Sequence, residues 1–497
     1  MSEVLNSKNE IYAKKYFYKA IDLGVNFKLN NDFLEKRFDS SKLDELLKFP
    51  ICESSIDEVM DYFEKFVLPY CSNFSNVNFM GFPDSGNTIS ALTGAIISDF
   101  LQQNIINSSF CAPIATYLEI AVIKWMRELI GYNIKKINNI WDVGGIVTYG
   151  GTGSNTIAML LARENFEKNT MKNGVLNPNK FKVIIPKGIG HYSIKSALMW
   201  IGCGDNVIEV ETKNYKYNLN LLKKELTKNK GNIMAVVCYV GDSRTMSIEN
   251  LEEVYNLVKS FDKRIWVHAD ACHGFSLAFS DKLKYKINGL EKYDSISTDP
   301  HKVLGIPYCI SCLLVKKPHN MKNITSASDL IMNEDYAFGQ ITPFIGSKSW
   351  ISLKLWFAMK SLGKNGYAKI IEKRCMLANY LKKKIIESNE FILLNDVDIN
   401  SVVFIYARNK NDILFNNNYL NILNDINKKI YDKMLSEGKY YLHKFNLNDD
   451  KGVIKRGFNF VVLRYMSGND NLTKNEIDKM FNYLLKLGSE VSNEYYL

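Results

Sequence analysis

At 497 residues the chain is too long for one compact core, and its 46% hydrophobic and 23% charged content is that of a globular protein of about two to four domains. The net charge of +10 comes from lysines scattered among Asn and Ile, not clustered beside exposed aromatics, so a solvated basic surface is expected and not a nucleic-acid interface. Nine cysteines without a regular framework exclude a disulfide scaffold, and neither a secretory signal nor a bilayer-length apolar run is visible, so a cytoplasmic chain without a membrane partner is expected.

Residues 1–87 carry helical periodicity, clearest in Asp57–Val67, and few strand signals. Longer helical patterns follow from 88 to 131. The strongest, Ala115–Ile130, opens with Thr116 and Glu119 at the spacing of a capping box. From about 140 short apolar runs alternate with helical stretches. Strands are expected at Gly145–Tyr149, Lys182–Pro186, Val207–Val210, Ile233–Tyr239, Ile265–Ala269, Ser295–Thr298 and Ile310–Val315. The intervals allow a helix between many of them, which argues for an α/β domain with a mostly parallel sheet covered on both faces, its chemistry at the carboxyl ends of the strands. A long apolar helix near Ser349–Leu362 leads out of this domain. Strands Ser401–Tyr406 and Phe458–Tyr465, with helices at Leu420–Glu437 and after Asn471, then make a small α+β domain. The expected division is 1–87, 88–365 and 366–497. Cys309 and Cys312 form one C-x-x-C inside an apolar strand without a second ligand pair, so no metal site is expected.

Four motifs carry chemistry. G-I-V-T-Y-G-G-T-G-S-N (145–155) ends a strand in glycines and opens a helix near Ser154; backbone N–H groups there, with the hydroxyls of Thr152 and Ser154, can cradle a phosphate. G-H-Y-S-I-K (190–195) places His191 at a helix start, where an imidazole can stack on a flat cofactor or simply cap the helix. W-V-H-A-D-A-C-H-G (266–274) ends an apolar run in Asp270, an acid that needs a cationic or N–H partner inside a core. S-T-D-P-H-K (297–302) sets Lys302 beside His301, 32 residues after Asp270, where burial and neighbouring cations are expected to keep the amine neutral. A lysine that forms an imine with an aldehyde and an acid that holds a ring nitrogen protonated are the two electronic handles of a pyridoxal phosphate site.

In this order the motifs resemble the group II pyridoxal phosphate-dependent amino acid decarboxylases, which include glutamate, tyrosine, aspartate and aromatic amino acid decarboxylases. The resemblance extends to N-F-M-G-F-P-D-S-G-N (78–87), A-P-I-A-T-Y-L-E (112–119), G-S-K-S-W-I-S-L-K-L-W-F-A (346–358) and V-V-L-R-Y (461–465). It implies fold type I, the aspartate aminotransferase-like transferase fold, and a homodimer with the active site at the interface. It further implies pyridoxal 5'-phosphate bound covalently by Lys302, paired by Asp270 and stacked by His191. Gly151, Thr152, Asp242, Asp299 and His301 would also lie around the cofactor, Asp84 on the substrate side, and Tyr336 as the donor of a proton to Cα. Four positions depart from the family pattern: Asp299 where Asn is frequent, Asp242 in G-D-S, His273 in place of an aromatic, and Asn76-Val77 in place of His-Pro. The expected reaction is α-decarboxylation of an L-amino acid, with Asp84 and Asp242 favouring a cationic or hydroxylated side chain. A carbon–carbon lyase and a decarboxylation-dependent oxidative deaminase are the alternatives within the fold. A catalytically silent scaffold dimer is the alternative outside enzymes, disfavoured by the intact Lys302 and Asp270.

Overall fold

Seven strands build the central sheet in a computed structural model that describes residues 4–30, 33–34, 36–133, 136–326, 335–412 and 416–495. They are β1 (Gly145–Thr148), β2 (Lys182–Pro186), β3 (Val207–Val210), β4 (Ile233–Tyr239), β5 (Trp266–Asp270), β6 (Ser295–Thr298) and β7 (Ser311–Val315), ordered β1-β7-β6-β5-β4-β2-β3. Every residue of β4 and β5 is buried, as expected of central strands covered by helices on both faces. Six strands run parallel, while β7 enters antiparallel between β1 and β6. The sequence pattern could not distinguish β7, because a fully buried strand reads as a continuous apolar run in either direction.

The helix Ala115–Leu129 covers β1, but the expected capping box is absent: its N-cap is Ile114, without a side-chain cap. Glu119 instead points inward. It pairs with the Lys348 ammonium at 2.6 Å and accepts the Val147 N–H at 3.2 Å, with both ionic side chains fully buried. The helix Ile89–Leu101 packs closely on Ser352–Glu387, where a Cβ at Gly94 would come within 2.9 Å of the Leu353 carbonyl oxygen. That second helix breaks at Gly363 (φ 58°, ψ −176°) before continuing beneath a smaller sheet.

The smaller sheet is antiparallel, ordered β8-β9-β11-β10 from β8 (Phe391–Leu393), β9 (Val402–Tyr406), β10 (His443–Asn448) and β11 (Asn459–Tyr465). The segment 78–86 docks on it: Met80 exchanges backbone hydrogen bonds with Tyr441 and Met466, and Gly468 donates to Ser85. A Cβ on Gly468 would lie 1.9 Å from the Pro83 carbonyl oxygen, so only glycine permits this approach. No helix among the described residues is long and apolar enough to cross a membrane.

Candidate active site

The carboxyl ends of β1, β4, β5 and β6 meet the start of β7 at one edge of the sheet, with Thr148 opposite Ser311 and Asp270 opposite both Tyr239 and Ser297. Just beyond β6, a single helical turn, Pro300–Val303, carries Lys302. Its ammonium lies 2.8 Å from Asp299 Oδ2, and Asp299 Oδ1 accepts the Ser311 hydroxyl at 2.5 Å. Burial disfavours charge on Lys302, but Cys272, Asp299 and Asp270 outweigh burial and hold its ammonium well above the ordinary lysine range. The expectation of a neutral Lys302 is therefore reversed in the chain itself. Burial likewise opposes the Asp299 charge, yet Lys302 and His301 prevail and lower its pKa. His301 Nε2 lies 4.0 Å from Asp299 Oδ2, and its Nδ1 is 2.5 Å from the Ile310 carbonyl, which ties the turn to the residue before β7.

Asp270 is buried at the end of β5 and held through both oxygens. Asn155 Nδ2 donates to Oδ2 at 2.9 Å, and the Cys272 thiol donates to Oδ1 at 2.8 Å. A carboxylate offers about four lone-pair sites, so room remains for one further N–H. His191 caps the helix Tyr192–Trp200, its Nδ1 accepting from Ser193 N at 3.3 Å and lying 2.7 Å from Ser193 Oγ. Burial lowers its pKa and favours the neutral ring. Capping and stacking are compatible, because the cap occupies only the ring edge.

The helix Gly151–Phe166 starts three residues earlier than its hydroxyl pattern suggests, after Gly150 at φ 94°. The backbone N–H groups of Gly151 and Thr152 have no acceptor among the described residues. A Cβ on Gly151 would lie 2.9 Å from both Asp299 oxygens, so glycine keeps this corner open. Ser154 does not face it: its hydroxyl is fully buried and bonds Thr148 Oγ1 at 2.7 Å. Nor is Asp242 free for a ligand. Its oxygens accept the N–H groups of Arg244, Thr245 and Ser247 and the Thr245 hydroxyl, closing the loop after β4.

On the opposite side Asp84 bonds Tyr308, and burial raises its carboxyl while Oδ1 keeps no partner among the described residues. His273 Nδ1, Ser297 Oγ and Thr298 Oγ1 are also buried without partners there. Arg464, inside β11, donates to the carbonyls of Ser243 and Gly81 and lies 5.6 Å from the Phe82 ring; burial lowers its pKa to about 10. Tyr336 is elsewhere: its hydroxyl donates to the Ile137 carbonyl at 3.3 Å and its ring packs on Tyr117. Asn155, Ser193, Cys272 and Arg464 were not singled out from sequence. Arg464 had a signal, a charge in the middle of the apolar run V-V-L-R-Y. Asn155 had only its place in a glycine-rich motif.

A buried acid with a spare lone pair, a lysine amine, open N–H groups at a helix start and several orphaned polar atoms fit a flat, anionic, aldehyde-bearing cofactor. Residues 40–407 match the family model described as the pyridoxal-dependent decarboxylase conserved domain. The chain is 22% identical to an aromatic-L-amino-acid decarboxylase of Bacillus atrophaeus, over 100% of this chain and 99% of that one. It is 23% identical to a phenylacetaldehyde synthase of Petunia hybrida, over 87% of this chain and 85% of that one. Among solved structures, Catharanthus roseus tryptophan decarboxylase in complex with L-tryptophan superposes with a TM-score of 0.82 at 18% identity, covering 98% of this chain and 100% of that one.

Proposed function

Since the chain belongs to the pyridoxal-dependent decarboxylase family and is a pyridoxal phosphate-dependent amino acid decarboxylase, we propose that its reaction is carried by Lys302, Asp270 and His191 at the carboxyl edge of the large sheet. The observation that carries this reading is the convergence of the Lys302 amine and the doubly held Asp270 carboxylate in one buried edge, beside open N–H groups at a helix start. When bound, pyridoxal phosphate supplies an electron sink for the pair left at Cα as carbon dioxide departs. Lys302 would hold the cofactor through Nζ, and its amine beside Asp299 would hold a transferable proton at that corner of the site. Asp270 would accept the ring N–H and keep that nitrogen protonated. His191 would cover one ring face, and Gly151 and Thr152 would seat the phosphate through their N–H groups. The buried setting excludes water that would otherwise stabilise the departing carboxylate before reaction.

On the substrate side, Arg464 supplies a fixed cation, while burial diminishes the charge of Asp84 and Asp242 is engaged in its own loop. Of the cationic or hydroxylated side chains expected from sequence, the balance of charge therefore weighs against the cationic one. The chain works as a homodimer in the cytoplasm, its large domain ending near 365 where the long helix breaks at Gly363. Tyr336, whose hydroxyl donates to the Ile137 carbonyl in its own chain, would supply the Cα proton to the partner subunit's site in that homodimer. The test is to incubate the loaded enzyme with aromatic, acidic and basic amino acids and assay carbon dioxide, amine, aldehyde and hydrogen peroxide. Equal amounts of amine and carbon dioxide are expected, with no turnover of basic substrates. Aldehyde with peroxide would replace simple decarboxylation by the oxidative reading that the synthase relative motivates.

A further inference from the structure

The Asp270 carboxylate is one end of a hydrogen-bonded chain that runs deep into the sheet. Asn155, buried in the second turn of its helix, donates through Nδ2 to Asp270 Oδ2 at 2.9 Å and to Ser193 Oγ at 2.8 Å. Its Oδ1 lies 3.1 Å from His268 Nε2. His268 Nδ1 lies 2.8 Å from Ser295 Oγ, which accepts the Trp266 indole N–H at 2.7 Å.

The side-chain contacts favour one arrangement of protons. An indole N–H can only donate, and the amide N of Asn155 must face the Asp270 carboxylate, because its oxygen there would meet an acceptor. Asn155 Oδ1 is then left to accept from His268 Nε2–H. His268 Nδ1 must in turn accept, and the Ser295 hydroxyl, already receiving the indole proton, gives it its own. At the other branch Ser193 accepts from Asn155 and passes its hydroxyl proton to His191 Nδ1, so that a neutral His191 carries its proton on Nε2. Burial lowers the His268 pKa to about 4, so this ring stays neutral and keeps one tautomer.

We propose that Asn155 is a positioning residue that orients Asp270 toward the cofactor ring nitrogen and holds Ser193 against His191, with its own amide locked by the Trp266–Ser295–His268 relay. One amide thus governs both the edge and the face of the cofactor ring. The inference rests on Asp270 being the partner of the ring nitrogen, so the test separates the two statements.

Apoprotein is titrated with pyridoxal phosphate and with its 1-deaza analogue, in which a C–H replaces the ring nitrogen, following tryptophan fluorescence. Wild type is expected to bind pyridoxal phosphate more tightly than the analogue; equal binding would remove Asp270 as the nitrogen partner. Asn155→Ala should weaken pyridoxal phosphate by about 10- to 100-fold, the scale on which an outer hydrogen-bonding partner acts on a bound group, and leave the analogue within about 3-fold. Equal loss of both ligands, or loss of neither, in a background where wild type discriminates would overturn the role of Asn155. A second measurement needs no variant. The long-range 1H–15N spectrum of the six histidines should place the His268 proton on Nε2, and a proton on Nδ1 would overturn the relay.

Discussion

At the scale of single residues, the site is governed by which acids stand next to which bases. Asp299 is the departure with the most direct effect, since it holds Lys302 as an ammonium at 2.8 Å. Asp299→Asn removes the negative charge and should lower the pH above which pyridoxal phosphate loads, by about 1–3 pH units, read from the pH dependence of the association rate. No downward shift would mean that Asp299 does not set the charge of Lys302. Lys302→Ala should abolish the visible absorbance of bound cofactor and turnover together. His268 gives a stability prediction with a definite sign. Its folded pKa, about 4, lies below the ordinary histidine value, so the unfolded chain binds the proton first as pH falls. Stability is full above about pH 6.5 and declines toward pH 4, by about 3 kcal/mol from this residue. Urea titrations of wild type and His268→Gln should converge on acidification by that amount; a constant difference would argue against a neutral buried ring. Such pairings were partly legible in the sequence. Lys302, Asp270 and His191 stood out because chemistry demands their types in that order, whereas a motif does not say which way a side chain turns, and Ser154 and Asp242 turn to Thr148 and to the loop after β4.

At the scale of elements, the strands of the large sheet were legible to within about one residue, because buried apolar runs end sharply at Gly, Pro or charge. The strands β8 and β10 were missed. The first is only three residues long, and H-K-F-N-L-N in β10 is half-exposed at a sheet edge, where alternation is blunted by polar residues. The Thr116–Glu119 spacing misled for a different reason: Glu119 serves a tertiary ion pair that no local pattern reveals. That pair ties the helix Ala115–Leu129 to β1 and to the segment before Ser352. Lys348→Met leaves Glu119 buried and uncompensated, and should cost about 3–5 kcal/mol in urea unfolding, most of it regained in the Glu119→Leu/Lys348→Met double variant. A single variant as stable as wild type would show that the pair carries no such strain on removal. At Gly363 the cost is conformational. A Cβ meets no atom within 4 Å, but φ 58° with ψ −176° belongs to glycine, so Gly363→Ala should lose about 1–3 kcal/mol without changing the site.

At the scale of the whole molecule, several large apolar side chains are exposed in the single chain, among them Phe100, Phe110, Ile114 and Trp200, the last at 78%. Exposed apolar side chains of this size are what a subunit interface would cover. The homodimer proposed above should sediment at twice the 57.0 kDa chain mass, and Phe110→Asp with Ile114→Asp should yield monomer with reduced turnover. A wild-type monomer with full activity would sink that proposal. The fold class was legible from alternating strand and helix signals, but the antiparallel entry of β7 was not, because direction is set by the length of a connection and not by composition.

That entry has a consequence for how the reactive amine is held. After a parallel strand the chain would leave the edge through a long crossover and return from the far side of the sheet. Here the chain leaves β6 at Thr298 and re-enters β7 at Ser311, so Asp299, His301, Lys302 and Tyr308 all belong to one short hairpin connection, clamped at both ends by paired ladders. A one-residue slip of β7 would invert every side chain of that strand and carry Ser311 away from Asp299. The loop therefore acts as a jig of set length: its two ladders fix where the amine stands before any ligand arrives.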